Sequence, residues 1–96
     1  MSMSELLVEF VESTIKRMVD KEKEIKIGIN LSTKNIIIQI EANKNDLGKI
    51  IGKKGRSIEA LKIITSAVKN TKFPDDTRNI CLEILEEQSK FSREKV

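Results

Sequence analysis

Ile50-Ile51-Gly52-Lys53-Lys54-Gly55-Arg56-Ser57-Ile58 sets two lysines between two glycines and frames both with apolar residues. Gly52 and Gly55 tolerate positive φ and carry no Cβ, so a sugar-phosphate backbone can approach the peptide closely there. Lys53 and Lys54 supply positive charge at the tip. A helix beginning after the loop turns its free N–H groups and positive dipole end toward the same phosphates. Ser57, a favoured N-cap type, marks its expected start. The stretch therefore reads as a clamp for a nucleic-acid backbone, RNA foremost. The plainer alternative is a helix-ending turn whose lysines are merely solvated.

Charge along the chain favours the clamp. The net charge is only +3 over 96 residues. Residues 44–72, however, hold Lys44, Lys49, Lys53, Lys54, Arg56, Lys62, Lys69 and Lys72 against Asp46 and Glu59, a local +6, while the remainder sums to −3. A basic segment in a mildly acidic chain is a directional footprint rather than general stickiness. Lys62, Lys69 and Lys72 read as ordinary solvated positions. With no Trp or Tyr and only Phe10, Phe73 and Phe91, the chain lacks the aromatic platform on which RRM and OB-fold proteins stack bases.

Working outward, residues 4–20 place Leu7, Phe10, Val11, Ile15, Met18 and Val19 at helical spacing, with Ser2 and Ser4 both eligible as N-cap. Ile25, Ile27, Ile29 and Leu31 alternate with polar residues and Gly28, and Ile36, Ile38 and Ile40 alternate after a polar turn, which predicts a β-hairpin. Ile37 breaks the second alternation, so that strand is expected to be covered on both faces or to meet a partner. Asn43-Lys44-Asn45-Asp46 marks a turn and N-cap for a short helix at 46–51. From Ser57 to about Asn70, Ile58, Leu61, Ile64, Ala67 and Val68 form the expected apolar stripe of a longer helix. A loop containing Pro74 follows. Residues 78–85 read as a third strand from the β-branched Ile80 and Ile84, although Leu82 to Glu87 also fits a helix. Residues 1–87 make one domain, and 88–96 read as a mobile tail.

The order α-β-β-α-α-β predicts an α+β fold with three helices on one three-stranded mixed sheet, the two-helix crossover making its flanking strands parallel if they are neighbours. Composition narrows function further. No apolar run approaches the ~20 residues of a membrane span, and Glu5, Glu9 and Glu12 break up any signal-peptide pattern, so the cytoplasm is the expected location and no membrane association is expected. Cys81 has no second cysteine or histidine beside it and reads as a small core residue. Asp75-Asp76 lacks a third ligand in sequence reach and reads as solvated. No activated nucleophile or acid–base group is present, so a non-enzyme without metal or cofactor is expected.

Helix, Gly-x-x-Gly loop and helix between two strands, preceded by a helix and a strand, resembles the prokaryotic (type II) KH domain over about residues 4–86. Length and the run from Asp46 to Arg56 resemble the small bacterial single-KH RNA chaperones of the KhpA type. The resemblance implies single-stranded RNA in a narrow groove, clamped by Gly52, Lys53, Lys54 and Gly55. Ile50, Ile51 and Ile58 would hold the helices and line or support the groove, Lys49 and Arg56 would flank the phosphates, and Gly48 would let the short helix pack closely. It also implies a partner, either a larger KH-containing protein or a second copy of the chain. Three functions follow as alternatives: an RNA chaperone or adaptor, a dimerisation module with its interface at Ile37 or the first helix, and a ribosome-associated assembly factor.

Overall fold

The computed structural model describes residues 1–85; the expected tail at 88–96 lies outside them. Helix α1 (Met3–Lys16) leads into the hairpin β1 (Lys26–Leu31) and β2 (Asn35–Glu41), then α2 (Leu47–Ile51), α3 (Arg56–Lys72) and β3 (Asn79–Leu85). Short 3-10 turns occupy Glu22–Glu24, Lys44–Asp46 and Lys53–Gly55. The α-β-β-α-α-β order is the expected one.

Ser2, not Ser4, caps α1. Its hydroxyl accepts from the Glu5 N–H at 3.2 Å while the Glu5 carboxylate accepts from the Ser2 N–H at 2.9 Å, a reciprocal capping box. That backbone bond from Ser2 holds the Glu5 carboxyl below its ordinary range. The helix stops at Lys16, short of the expected residue 20, because Arg17 and Met18 turn their N–H groups onto Thr14 and Ile15 in a tightened last turn. Val19 still packs against the core.

β2 is the central strand, antiparallel to β1 and parallel to β3. Register puts Ile27 opposite Ile40 and Ile29 opposite Ile38 on one side, and Ile80, Leu82 and Ile84 opposite Ile36, Ile38 and Ile40 on the other. With period two, all of these share one face. Ile36, Ile38 and Ile40 are fully buried there with Leu7, Val11 and Ile15 of α1, and Leu61 of α3 joins the same core. Burying one such isoleucine contributes about 2–3 kcal/mol. Ile37 points the other way, half-buried between Asn30 and Cys81 across the sheet.

Two expectations about the core are corrected. Cys81 is not a core residue: it alternates with Ile80, lies half-buried on the opposite face beside Ile37, and its thiol donates to Asn35 Oδ1 at 3.7 Å. The apolar stripe of α3 is also rotated. Its buried row is Leu61, Thr65 and Lys69, flanked by half-buried Ile58 and Val68, whereas Ile64 is 52 % exposed and Ala67 faces solvent. Thr65 is accommodated because its hydroxyl donates to the Leu61 carbonyl at 2.7 Å.

Candidate nucleic-acid interface

The loop between α2 and α3 is built on three residues in the left-handed half of φ space: Gly52 at φ 77°, Lys54 at φ 57° and Gly55 at φ 75°. Gly52 ends α2, its N–H donating to the Gly48 carbonyl at 2.8 Å, and its own carbonyl accepts from Gly55 N–H at 3.1 Å. A Cβ on Gly52 would stand 2.2 Å from Ser57 Oγ and 2.8 Å from Ser57 N. Glycine is therefore required there both by φ and by space. At Gly55 only φ requires it, since a Cβ would meet nothing within 4 Å.

Ser57 does not cap α3. The N-cap is Gly55, with no side chain bonding to the first turn, and Ser57 sits one position inside the helix, pressed against Gly52. The first turn of a 17-residue helix thus opens beside Lys53, Lys54 and Arg56 with Glu59 as its acidic residue and no side-chain bond at the N-cap. Those three side chains are exposed, and among the described residues none forms an ion pair. Beneath them Ile50 is fully buried and Ile58 half-buried against the core, so the loop rests on a rigid base; Ile51 stays 37 % exposed at its edge.

Lys49 stands apart from this set. Its ammonium donates to Asp20 Oδ2 and, at 3.4 Å, to Asp46 Oδ1, and the bond to Asp20 foremost raises its pKa. Asp46 precedes α2 but does not cap it. Its buried carboxylate accepts from the Lys21 N–H at 3.0 Å and the Asp20 N–H at 3.3 Å, and the first of these bonds pulls its pKa down. Asn43 caps only the preceding 3-10 turn at Lys44–Asp46, accepting from Asn45 N–H at 2.8 Å. The aspartates fasten the segment after α1 to the base of the loop, and Lys49 spends its charge on that fastening. Gly48 does not pack closely: a Cβ there would meet nothing within 4 Å.

At the other end of α3, Lys69 is only 3 % exposed rather than solvated. Its ammonium donates to the Asp76 carbonyl at 2.8 Å and to the Arg78 carbonyl. Asp76 accepts from the Arg78 guanidinium at 3.0 and 2.6 Å, and that contact lowers its pKa to about 2. Asp75 is exposed, and no group of metal-ligating side chains exists among the described residues. Between α3 and the start of β3 lies a cleft of about 510 Å³, lined by Lys62, Ser66 and Asn70 on the helix and Asn79, Ile80 and Cys81 on the strand. Sequence reading missed this wall. The spacing of Lys62, Ser66 and Asn70, four residues apart, was its available signal.

The family model described as KhpA/KhpB, KH domain matches residues 8–80. The chain is 36 % identical over 80 residues to the RNA-binding protein KhpA of Chlamydia trachomatis, covering 83 % of this chain and 97 % of that one. It is 33 % identical over 79 residues to the RNA-binding protein KhpA of Borreliella burgdorferi, covering 82 % and 92 %. Among solved structures, Aquifex aeolicus Era bound to GDP.AlF4- superposes with a TM-score of 0.59 at 20 % identity, over 84 % of this chain and 30 % of the Era chain. That likeness concerns the fold alone. No helix among the described residues is long and apolar enough to cross a membrane. Fold, loop and the match across residues 8–80 agree: the chain belongs to the KhpA/KhpB KH-domain family.

Proposed function

We propose that this protein binds single-stranded RNA, gripping the backbone at Gly52–Gly55 with Lys53, Lys54 and Arg56 and leading the strand along α3 toward the cleft beside β3. One observation carries the reading: the cations of the loop stand unpaired over a helix start with no side-chain cap, whereas Lys49 and Lys69 nearby are engaged. The relatives' name supports it. Lys49 is better assigned to holding the loop than to contacting phosphate. Mixed polar and aliphatic cleft walls suit unstacked bases read by their edges. Binding about four phosphates gives micromolar-scale affinity with a steep salt dependence. A role as cytoplasmic RNA chaperone or adaptor fits such a weak, mobile grip.

The test is fluorescence anisotropy of a labelled single-stranded RNA with wild type and Lys53→Asp/Lys54→Asp, both shown folded by circular dichroism. Wild type binds, and the variant loses at least about thirtyfold, as two charge-assisted contacts turn repulsive. Equal binding by both would remove the clamp reading.

A second reading concerns self-association. The outer face of α3 carries Ala60, Ile63, Ile64 and Ala67, with the isoleucines 57 % and 52 % exposed. Their spacing makes one continuous stripe. The stripe reads the same from both ends, so a two-fold antiparallel contact sets Ile63 on Ile64 and Ala60 on Ala67 of a second copy. The interface moves here from α1, whose Leu7, Val11 and Ile15 are consumed by the core. Two clamps on one dimer gain from effective concentration. Sedimentation of wild type and Ile63→Asp checks this: a concentration-dependent dimer abolished by the substitution supports it, and a monomer at all concentrations leaves the face for a different KH-containing partner.

A further inference from the structure

The Lys69 ammonium is the one buried cation in the described residues, and nothing in the RNA reading so far uses it. Burying a charge is costly unless it is well bonded. A methionine of similar length would fill the same space without that cost, so what the ammonium adds is its pair of bonds to the carbonyls of Asp76 and Arg78. Both carbonyls belong to the connection that carries the chain from α3 into β3. The same connection is tied from outside, where Arg78 reaches Asp76 and, at 3.5 Å, the Ser32 carbonyl, and Asn79 N–H donates to the Lys34 carbonyl at 3.0 Å. Lys69 is thus the internal tether and the hairpin turn the external one.

The tether lies beside the cleft. Lys69 lines it, with Lys62, Ser66 and Asn70 on one wall and Asn79 and Ile80 on the other. Among the described residues β3 is an edge strand, paired to β2 on one side only, so on its open side the connection and α3 set how its start meets the helix. Lys62 and Ser66 follow Arg56 by about 9 and 15 Å at the helical rise of 1.5 Å per residue, within reach of a strand held at the loop.

We propose that Lys69 is a positioning residue of the RNA site: by holding the Asp76 and Arg78 carbonyls against α3 it fixes the width of the cleft that receives the bases. The proposal rests on the RNA reading above. It separates two functions along one helix, backbone grip at the N-terminal end and base fit at the C-terminal end.

The experiment compares wild type, Lys69→Met, Lys69→Arg and Lys53→Asp/Lys54→Asp on short single strands of U, A and C, by anisotropy at several salt concentrations. Lys69→Met is expected to lose about tenfold in affinity for the preferred strand, to flatten the preference among the three, and to keep the wild-type salt slope because the phosphate contacts remain. Lys69→Arg, which can still donate to two carbonyls, restores preference and affinity to within about threefold. A folded Lys69→Met with wild-type affinity and preference would show that Lys69 only finishes the helix, and a salt slope that falls with affinity would show that the loop itself was disturbed; either overturns the proposal. Should Lys69→Met not fold, Arg78→Met unties the same connection from its half-buried side and must give the same signature, wild-type behaviour again overturning it. If folded wild type binds no RNA and matches the loop variant, the RNA reading fails, and this inference with it.

Discussion

The two ends of α3 present the same residue type in opposite states. At the N-terminal end Lys53 and Lys54 project from a left-handed turn with no partner among the described residues; at the C-terminal end Lys69 is buried on two carbonyls while Asp76 and Arg78 pair with each other. Where every donor has its acceptor the charge is structural. Where cations stand exposed beside a helix start with no protein acceptor, the charge is left available, and the proposed RNA backbone is what would engage it. Lys49, between two aspartates, shows that proximity to the loop is not enough to belong to it.

The contrast breaks most visibly at Gly52. Gly52→Ala must displace Ser57 and hold φ 77°, so a loss of about 3 kcal/mol in urea unfolding is expected, together with loss of RNA binding. An unchanged midpoint would mean that the turn is softer than its packing implies. Next in size is salt. On the proposed reading, wild-type affinity for single-stranded RNA is expected to fall about fiftyfold between 50 and 200 mM salt, a slope near −3 for about four phosphates. Lys53→Met/Lys54→Met should shallow that slope by about 1.4, whereas Lys49→Met should leave it nearly unchanged because its charge is already paired.

Lys54→Gly sharpens the comparison further. A non-glycine residue at φ 57° stores about 1 kcal/mol of strain, so this variant is expected to unfold at slightly higher urea while binding RNA more weakly. Equal stability would remove strain from the account of the loop. The smallest effect lies at the satisfied end. Asp76 has its pKa lowered to about 2 by Arg78, so its contribution to stability is complete above its ordinary value of 3.8 and disappears as pH falls through about 2. Thermal unfolding of wild type and Asp76→Asn should differ modestly at neutral pH and converge below that point; a difference independent of pH would mean the Arg78 contact is not its source.

Much of this was legible along the chain. Alternating isoleucines gave the hairpin and the third strand, and the length of the crossover between β2 and β3 made them parallel if they were neighbours, which they are. The glycine spacing gave the loop and both of its glycine turns. What misled was apolarity within α3. Ile64 and Ala67 looked like core and are exposed, while Lys69 looked solvated and is buried, as is Thr65, which the apolar stripe did not include. A hydrophobic count assigns a helix face only when polar side chains lack internal partners, and both Thr65 and Lys69 have them. Cys81 misled for a similar reason: in a strand covered on one face, period two decides burial before residue type does.

By itself, then, the sequence determined the order of elements, the direction neighbouring strands would take and the position of the glycine-bracketed, charged loop, because backbone freedom at glycine, side-chain periodicity and connection length are local properties of the chain. Only the tertiary structure decided which lysines are free. A lysine's availability depends on whether an aspartate 29 residues away or a carbonyl beyond the next turn reaches its ammonium, and such partners are brought together by packing, which no local pattern encodes.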